Sequence, residues 1–232
     1  MNTRREVTEC SLSSVFLPSD EVPPRKIRLS AERREVQLLD IAENLFTEHG
    51  YEGVTMEDIA RAAGVSRPIV YQHLGSKDGA FVACVRRARQ QFEEAIAASI
   101  SPVFGDLSAR IQAGGNVYFD LIANNPKRWS LLFATSASLE GHLADQLYTL
   151  RAGTIAAIAV AVKQYAPDAT KEATDAFAHI VSGIGEQLGR WWLANPKMSR
   201  KRVMSYYVTS IEGAAQAILA LPHTSTRRRT HS

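Results

Sequence analysis

The chain has 232 residues, 45% of them apolar and 22% charged, the composition of an ordinary soluble globular protein with room for one large core or two modest ones. A net charge of +3 favours an anionic partner only weakly, so total charge does not identify one. The two cysteines, Cys10 and Cys84, fall in an irregular N-terminal stretch and an apolar helical one, which argues against a disulfide framework.

Residues 1–29 mix Ser, Thr, Pro and charges without an apolar period and read as a mobile arm. They lack the order of basic start, apolar stretch and cleavage site that marks a signal peptide, so a cytoplasmic location is expected. Between Arg25 and Arg34 five bases stand against one acid. Ser30 can cap a first helix, in which Leu38, Leu39, Ala42, Leu45 and Phe46 recur at helical spacing and Gly50 supplies the stop. Thr55-Met56-Glu57-Asp58 has the form of a capping box, which starts a second helix near Met56. Ile59, Ala60 and Ala63 make its inner face, and Gly64 permits the left-handed turn that ends it. Ser66 is placed to cap a third helix, with Pro68 tolerated in a first turn whose N–H groups have no acceptors to lose. Gly75-Ser76 closes that helix and opens a fourth.

From Lys77 onward the pattern is helical, with breaks at 102–105, 124–126, 166–168 and 195–196. No segment alternates with the period of a strand. The longest apolar run of the C-terminal half, Thr154 to Val162, falls far short of the roughly 20 residues that cross a bilayer, and no membrane span is expected. The expectation is an all-α protein. A three-helix head occupies 30–78, a body of about six helices 79–222, and a basic, disordered tail 223–232.

Two short helices joined by a Gly-containing turn have the geometry of a helix-turn-helix, here at about 55–74, whose second helix enters the major groove. Val65, Val70 and Leu74 point back at the first two helices, leaving Arg67, Pro68, Ile69, Tyr71, Gln72 and His73 facing outward. That outward set suits base edges and phosphates better than plain solvation. The register Leu38-Leu39-x-x-Ala42-x-x-Leu45-Phe46, then Gly50-Tyr51, Thr55, Ile59-Ala60, Ala63-Gly64-Val65-Ser66, Val70-Tyr71-x-His73-Leu74 and Lys77-Asp78 resembles the N-terminal domain of the TetR/AcrR family of transcriptional regulators. It departs from that pattern at Leu74, where Phe is usual, and at Pro68-Ile69, where small or polar residues are usual. The resemblance implies that Thr55, Tyr71, His73 and Lys77 hold phosphates, which agrees with the positive potential of helix N-termini. Arg67 and Gln72 are the candidates for guanine and adenine edges, with Ile69 for a thymine methyl and Ser66 at the helix start.

Gly183-x-Gly185-x-x-x-Gly189 lies inside a helical pattern, without the preceding strand that a dinucleotide fingerprint needs, and reads instead as a close-packing face. The family resemblance implies a homodimer through the last two helices, with Gly183, Gln187, Trp191, Tyr207, Ile211 and Ala215 at the interface. No pair of the six histidines has metal-site spacing, and no metal or cofactor is expected. Asp175 and His179 read as a solvated pair one helical turn apart. No nucleophile elbow or comparable arrangement is present, so enzymatic activity is not expected. Phe119, Trp129, Phe133 and Tyr148 lie on separate expected helices or helix ends, and in a body that encloses an effector pocket in this family they are the candidate lining of an apolar site. Lys127, Arg128 and Arg151 flank it as candidate bases at its mouth, although surface solvation is the ordinary role for such residues.

The reading is a homodimeric repressor that binds a near-palindromic double-stranded operator and is released by a small apolar effector. Two rivals stay open: a DNA-binding regulator without a small effector, and a helical enzyme with a vestigial head.

Overall fold

The computed structural model describes residues 30–101, 107–133 and 139–219, so the N-terminal arm, the break at 102–105 and the basic tail lie outside the described residues. All regular structure among the described residues is helical: α1 (Ala31–His49), α2 (Met56–Ala63), α3 (Arg67–Leu74), α4 (Lys77–Ile100), α5 (Leu107–Asn124), α6 (Pro126–Phe133), α7 (Gly141–Tyr165), α8 (Lys171–Ala194) and α9 (Arg200–Leu219). The break between α6 and α7 has no expected counterpart; it is marked by Gly141 in the left-handed region, at φ +66°.

Local chemistry sets the ends of the head helices. Ser30 accepts from the Arg33 N–H, and Thr55 and Asp58 cap each other's backbone N–H groups at the start of α2. Gly64, at φ 63°, ends α2 in the left-handed conformation that only glycine adopts without strain. Ser66 sits at the N-cap of α3 in extended geometry, but its hydroxyl makes no cap hydrogen bond. Ser76 does cap α4, accepting from the Gly79 N–H at 3.0 Å.

Residue 78, the expected end of the head, falls in the first turn of α4. The head core of Leu38, Phe46, Ile59, Val70 and Leu74 continues through Phe81, Cys84 and Val85 of α4 and takes in Leu131 of α6 and Leu143 and Leu147 of α7. Head and body therefore share one continuous helix and one continuous apolar cluster. A second cluster, built on Tyr118, Phe119, Ile122, Trp129, Val203, Tyr207 and Ile211, holds α5, α6, α8 and α9 together. A Cβ on Gly115 would come within 2.9 Å of Met204 Sδ and Tyr207 Cε1, so glycine is what lets α5 lie against α9.

Candidate functional site

The α3 helix is held by its inner face, with Val70 and Leu74 buried against α1 and α2. Its outer face leaves Arg67, Pro68, Tyr71 and Gln72 exposed, whereas Ile69 and His73 are half-buried. Arg67 Nη2 donates to the Tyr71 hydroxyl at 3.1 Å, and the guanidinium lies 5.4 Å from that ring's centroid. The pair forms a cationic, hydrogen-bonding plate one helical turn long. Beside it the uncommitted Ser66 hydroxyl stands at the helix N-terminus, where partial positive charge favours an anion.

The neighbouring candidates are positioned differently. Thr55 directs both its hydroxyl, at 2.6 Å, and its backbone N–H, at 3.0 Å, to Asp58 Oδ2. These bonds hold the Asp58 carboxyl below the usual aspartate range, so a carboxylate already occupies the start of α2. Lys77 Nζ lies 4.2 Å from the Tyr51 ring centroid and 4.0 Å from Glu52, and Tyr51 donates to Asp78. Lys77 is thereby fixed at the start of α4, with its ammonium over a ring.

Of the aromatic candidates in the body, Phe133 and Tyr148 line a partly open cavity of about 140 Å³ and the other two do not. Trp129 is buried, donates from Nε1 to the Tyr118 hydroxyl at 3.0 Å, and stacks on Phe133 at 5.5 Å. Phe119 is fully buried between Trp192 and Tyr207. Both are core residues behind the cavity. Their spacing matches that of lining residues because a helical core face and a cavity face have the same period.

Arg151 lines the cavity, but Lys127 and Arg128 point the other way, to Glu48 and Glu43 of α1. The cavity's other cation, Arg89, was not singled out in the sequence. It stands on one helical stripe with Val82, Val85 and Phe92, and an arginine on an apolar stripe is the signal that marks it.

The expected dimer residues divide between two faces. Gly183, Gln187 and Trp191 lie on the outer side of α8, Trp191 touching Tyr206 of α9 with ring centroids 6.1 Å apart. Tyr207, Ile211 and Ala215 face inward and are buried within the chain, because α9 needs that side for α5 and α8. The glycine run divides too: a Cβ on Gly189 would lie 2.9 Å from Ile122 and Trp129, whereas one on Gly183 or Gly213 would meet nothing within 4 Å. Asp175 pairs with Lys171 at 2.5 Å rather than with His179. Among the described residues no three His, Cys, Asp or Glu side chains gather to hold a metal ion, and no helix is long and apolar enough to cross a membrane.

Fold and exposed α3 together define a helix-turn-helix protein with an all-helical body. Residues 38–84 match the family model for bacterial regulatory proteins, tetR family. The HTH-type transcriptional activator FasR of Mycolicibacterium smegmatis is 30% identical over 120 residues, 52% of this chain and 54% of that protein. The chain thus spans about half the length of this curated relative. A tetR-family transcriptional regulator from Streptomyces coelicolor superposes with a TM-score of 0.66 at 20% identity, over 83% of this chain and 84% of that one. The fatty acid degradation regulator FadR of Bacillus halodurans does so with a TM-score of 0.60 at 16% identity, over 80% and 94%. Residues 38–84 are thus similar to the tetR family of bacterial regulatory proteins, and the described residues share the fold of solved tetR-family regulators.

Proposed function

We propose that this chain is a sequence-specific, DNA-binding transcriptional regulator that works as a homodimer, with α3 of each protomer in a major groove. The observation that carries the reading is the exposed Arg67–Tyr71 plate on a helix fixed from behind by Val70 and Leu74. A guanidinium of this kind reads guanine edges, and the hydroxyls of Tyr71 and Ser66 suit the flanking phosphates. Two heads of one dimer meet half-sites about one helical turn, roughly 34 Å, apart, so the operator is near-palindromic. The outer faces of α8 and α9, with open space over Gly183 and Gly213 and exposed Trp191 and Tyr206, are the surface for the second protomer.

The cavity beneath Tyr148 is the site for a small, mainly apolar effector. A ligand that prefers the DNA-free state releases the operator in proportion to its differential affinity, tenfold for each ~1.4 kcal/mol. The name of FadR as a regulator of fatty acid degradation favours an apolar acid or its derivative as the effector class. Repression by promoter occupation is the sign we put forward, and activation, the role in the name of FasR, is the alternative. Genome-wide mapping of bound fragments, followed by anisotropy titration on the recovered sequence, tests the reading. Enrichment of a palindrome bound at nanomolar protein supports it, and uniform weak binding to all fragments overturns it. A reporter fused to the bound promoter gives the sign.

A further inference from the structure

Arg89 of α4 is 7% exposed and, among the described residues, has no carboxylate within ion-pair distance. Its Nη1 donates to Thr154 Oγ1 of α7 at 3.1 Å and its Nη2 to the Leu132 carbonyl of α6, while Nε is buried without an acceptor. The two nearby acids are otherwise engaged. Glu93 accepts from the Thr154 hydroxyl, and Glu186 of α8 is held by Arg151 and by Arg190 at 2.7 Å. Among the described residues three guanidiniums from α4, α7 and α8 thus face two carboxylates, leaving one positive charge in excess in this cluster.

That excess borders the cavity. Among the described residues Arg89 and Arg151 are its charged lining, and the rest of the wall is Val85, Leu131, Leu132, Leu147 and the rings of Phe133 and Tyr148. Burial works against the charge on Arg89 more than the nearby Glu93 and Glu186 favour it, and Arg151 works in the same direction as burial. An anion arriving there meets a cation that is already stripped of water, so the desolvation cost on the protein's side has been met by folding. A guanidinium also matches a carboxylate's two oxygens with parallel N–H donors.

We propose that the cavity binds the carboxylate of a small, otherwise apolar acid, with Arg89 as its anchoring cation and Arg151 as the second. A dry protein cavity of about 150 Å³ takes up benzene. A volume of about 140 Å³ therefore suits an acid of benzoate size, and a longer tail leaves past the exposed Tyr148. The inference rests on the reading of the body as an effector-binding domain and gives that effector its head group.

The test uses the full-length chain without DNA: calorimetric titration with benzoate and hexanoate, each against its neutral amide. At least one acid is expected to bind at least tenfold more tightly than its amide, and Arg89→Gln should bring that ratio close to one. Tyr148→Glu sets a like charge on a side chain that is 72% exposed, so it leaves the fold alone even if Arg89→Gln does not fold. It should weaken the acid at least tenfold more than it weakens the amide. Equal binding of acid and amide, no binding of either acid, or an acid indifferent to Tyr148→Glu overturns the proposal. Operator binding measured on the same preparation separates the two readings. Intact DNA binding with no acid preference removes the carboxylate site alone, and acid preference without DNA binding removes the regulator and leaves the site.

Discussion

Arg128 of α6 and Glu43 of α1 form an ion pair of 3.0 Å that ties the helix-turn-helix head to the body. Glu43 is shared: Arg87 of α4 reaches it at 2.6 Å and reaches Asp40 at 2.7 Å, so four charges run in line across the junction of three helices. Only 12% of the Glu43 side chain is exposed, against 24% of Arg87 and 29% of Arg128.

Glu43→Gln is expected to leave two half-buried guanidiniums without their common carboxylate. Loss of one partner of a buried pair costs about 3–5 kcal/mol, and solvent at the two arginines reduces this to roughly 2 kcal/mol. Urea denaturation of wild type and variant measures it. An unchanged midpoint would show that the pairing contributes nothing net.

On the DNA face, Arg67→Ala should alter which sequence is selected, whereas Lys77→Ala should weaken all sequences alike. Loss of a guanine contact corresponds to about 1–3 kcal/mol of discrimination. Because Tyr71 orients Arg67 through its hydroxyl, Tyr71→Phe should also relax the preference at the base Arg67 reads. Site selection with each variant decides this, and an unchanged consensus for Arg67→Ala removes that residue from base readout.

For association, the two faces of the last hairpin predict different failures. Gly183→Arg enters open space in the single chain, so it should give a folded protein that sediments as a monomer. Ala215→Arg places a charge where the chain itself is packed, at 4% exposure, and should lower the melting temperature or prevent folding. Sedimentation velocity together with thermal melts checks both, and a folded dimer for Gly183→Arg would move the interface elsewhere.

Alkaline pH offers a fourth test. Burial pushes the Cys84 thiol up to about 12 and the Tyr207 hydroxyl up to about 12. A group whose pKa is raised on folding adds stability that is complete below its unfolded value and is lost as pH climbs to the folded one. Stability should therefore fall between about pH 9 and 12, the interval that opens at the ordinary thiol value. Cys84→Ala should make that fall shallower. Denaturation curves across the range measure the slope, and Cys84 in the native chain should resist a thiol reagent at pH 8.

Much of the head was legible in the residues alone, because its signals are local. A cap acts on an N–H three residues away, a left-handed turn needs its glycine in place, and an amphipathic stripe repeats every turn; the Thr55–Asp58 box and the bend at Gly64 follow from those rules. The same rules say that Tyr207, Ile211 and Ala215 share a face, and that Phe119 and Trp129 are apolar and inward. Which neighbour each face meets is a matter of long-range packing. Only the tertiary structure decided that the Tyr207 face of α9 belongs to α5 and α8 within the chain, and that Phe119 and Trp129 fill the core behind the cavity. It also decided that Arg89 is buried without an ion-paired carboxylate among the described residues, because that depends on where α7 and α8 bring Thr154, Arg151 and Glu186, more than 60 residues further along the chain.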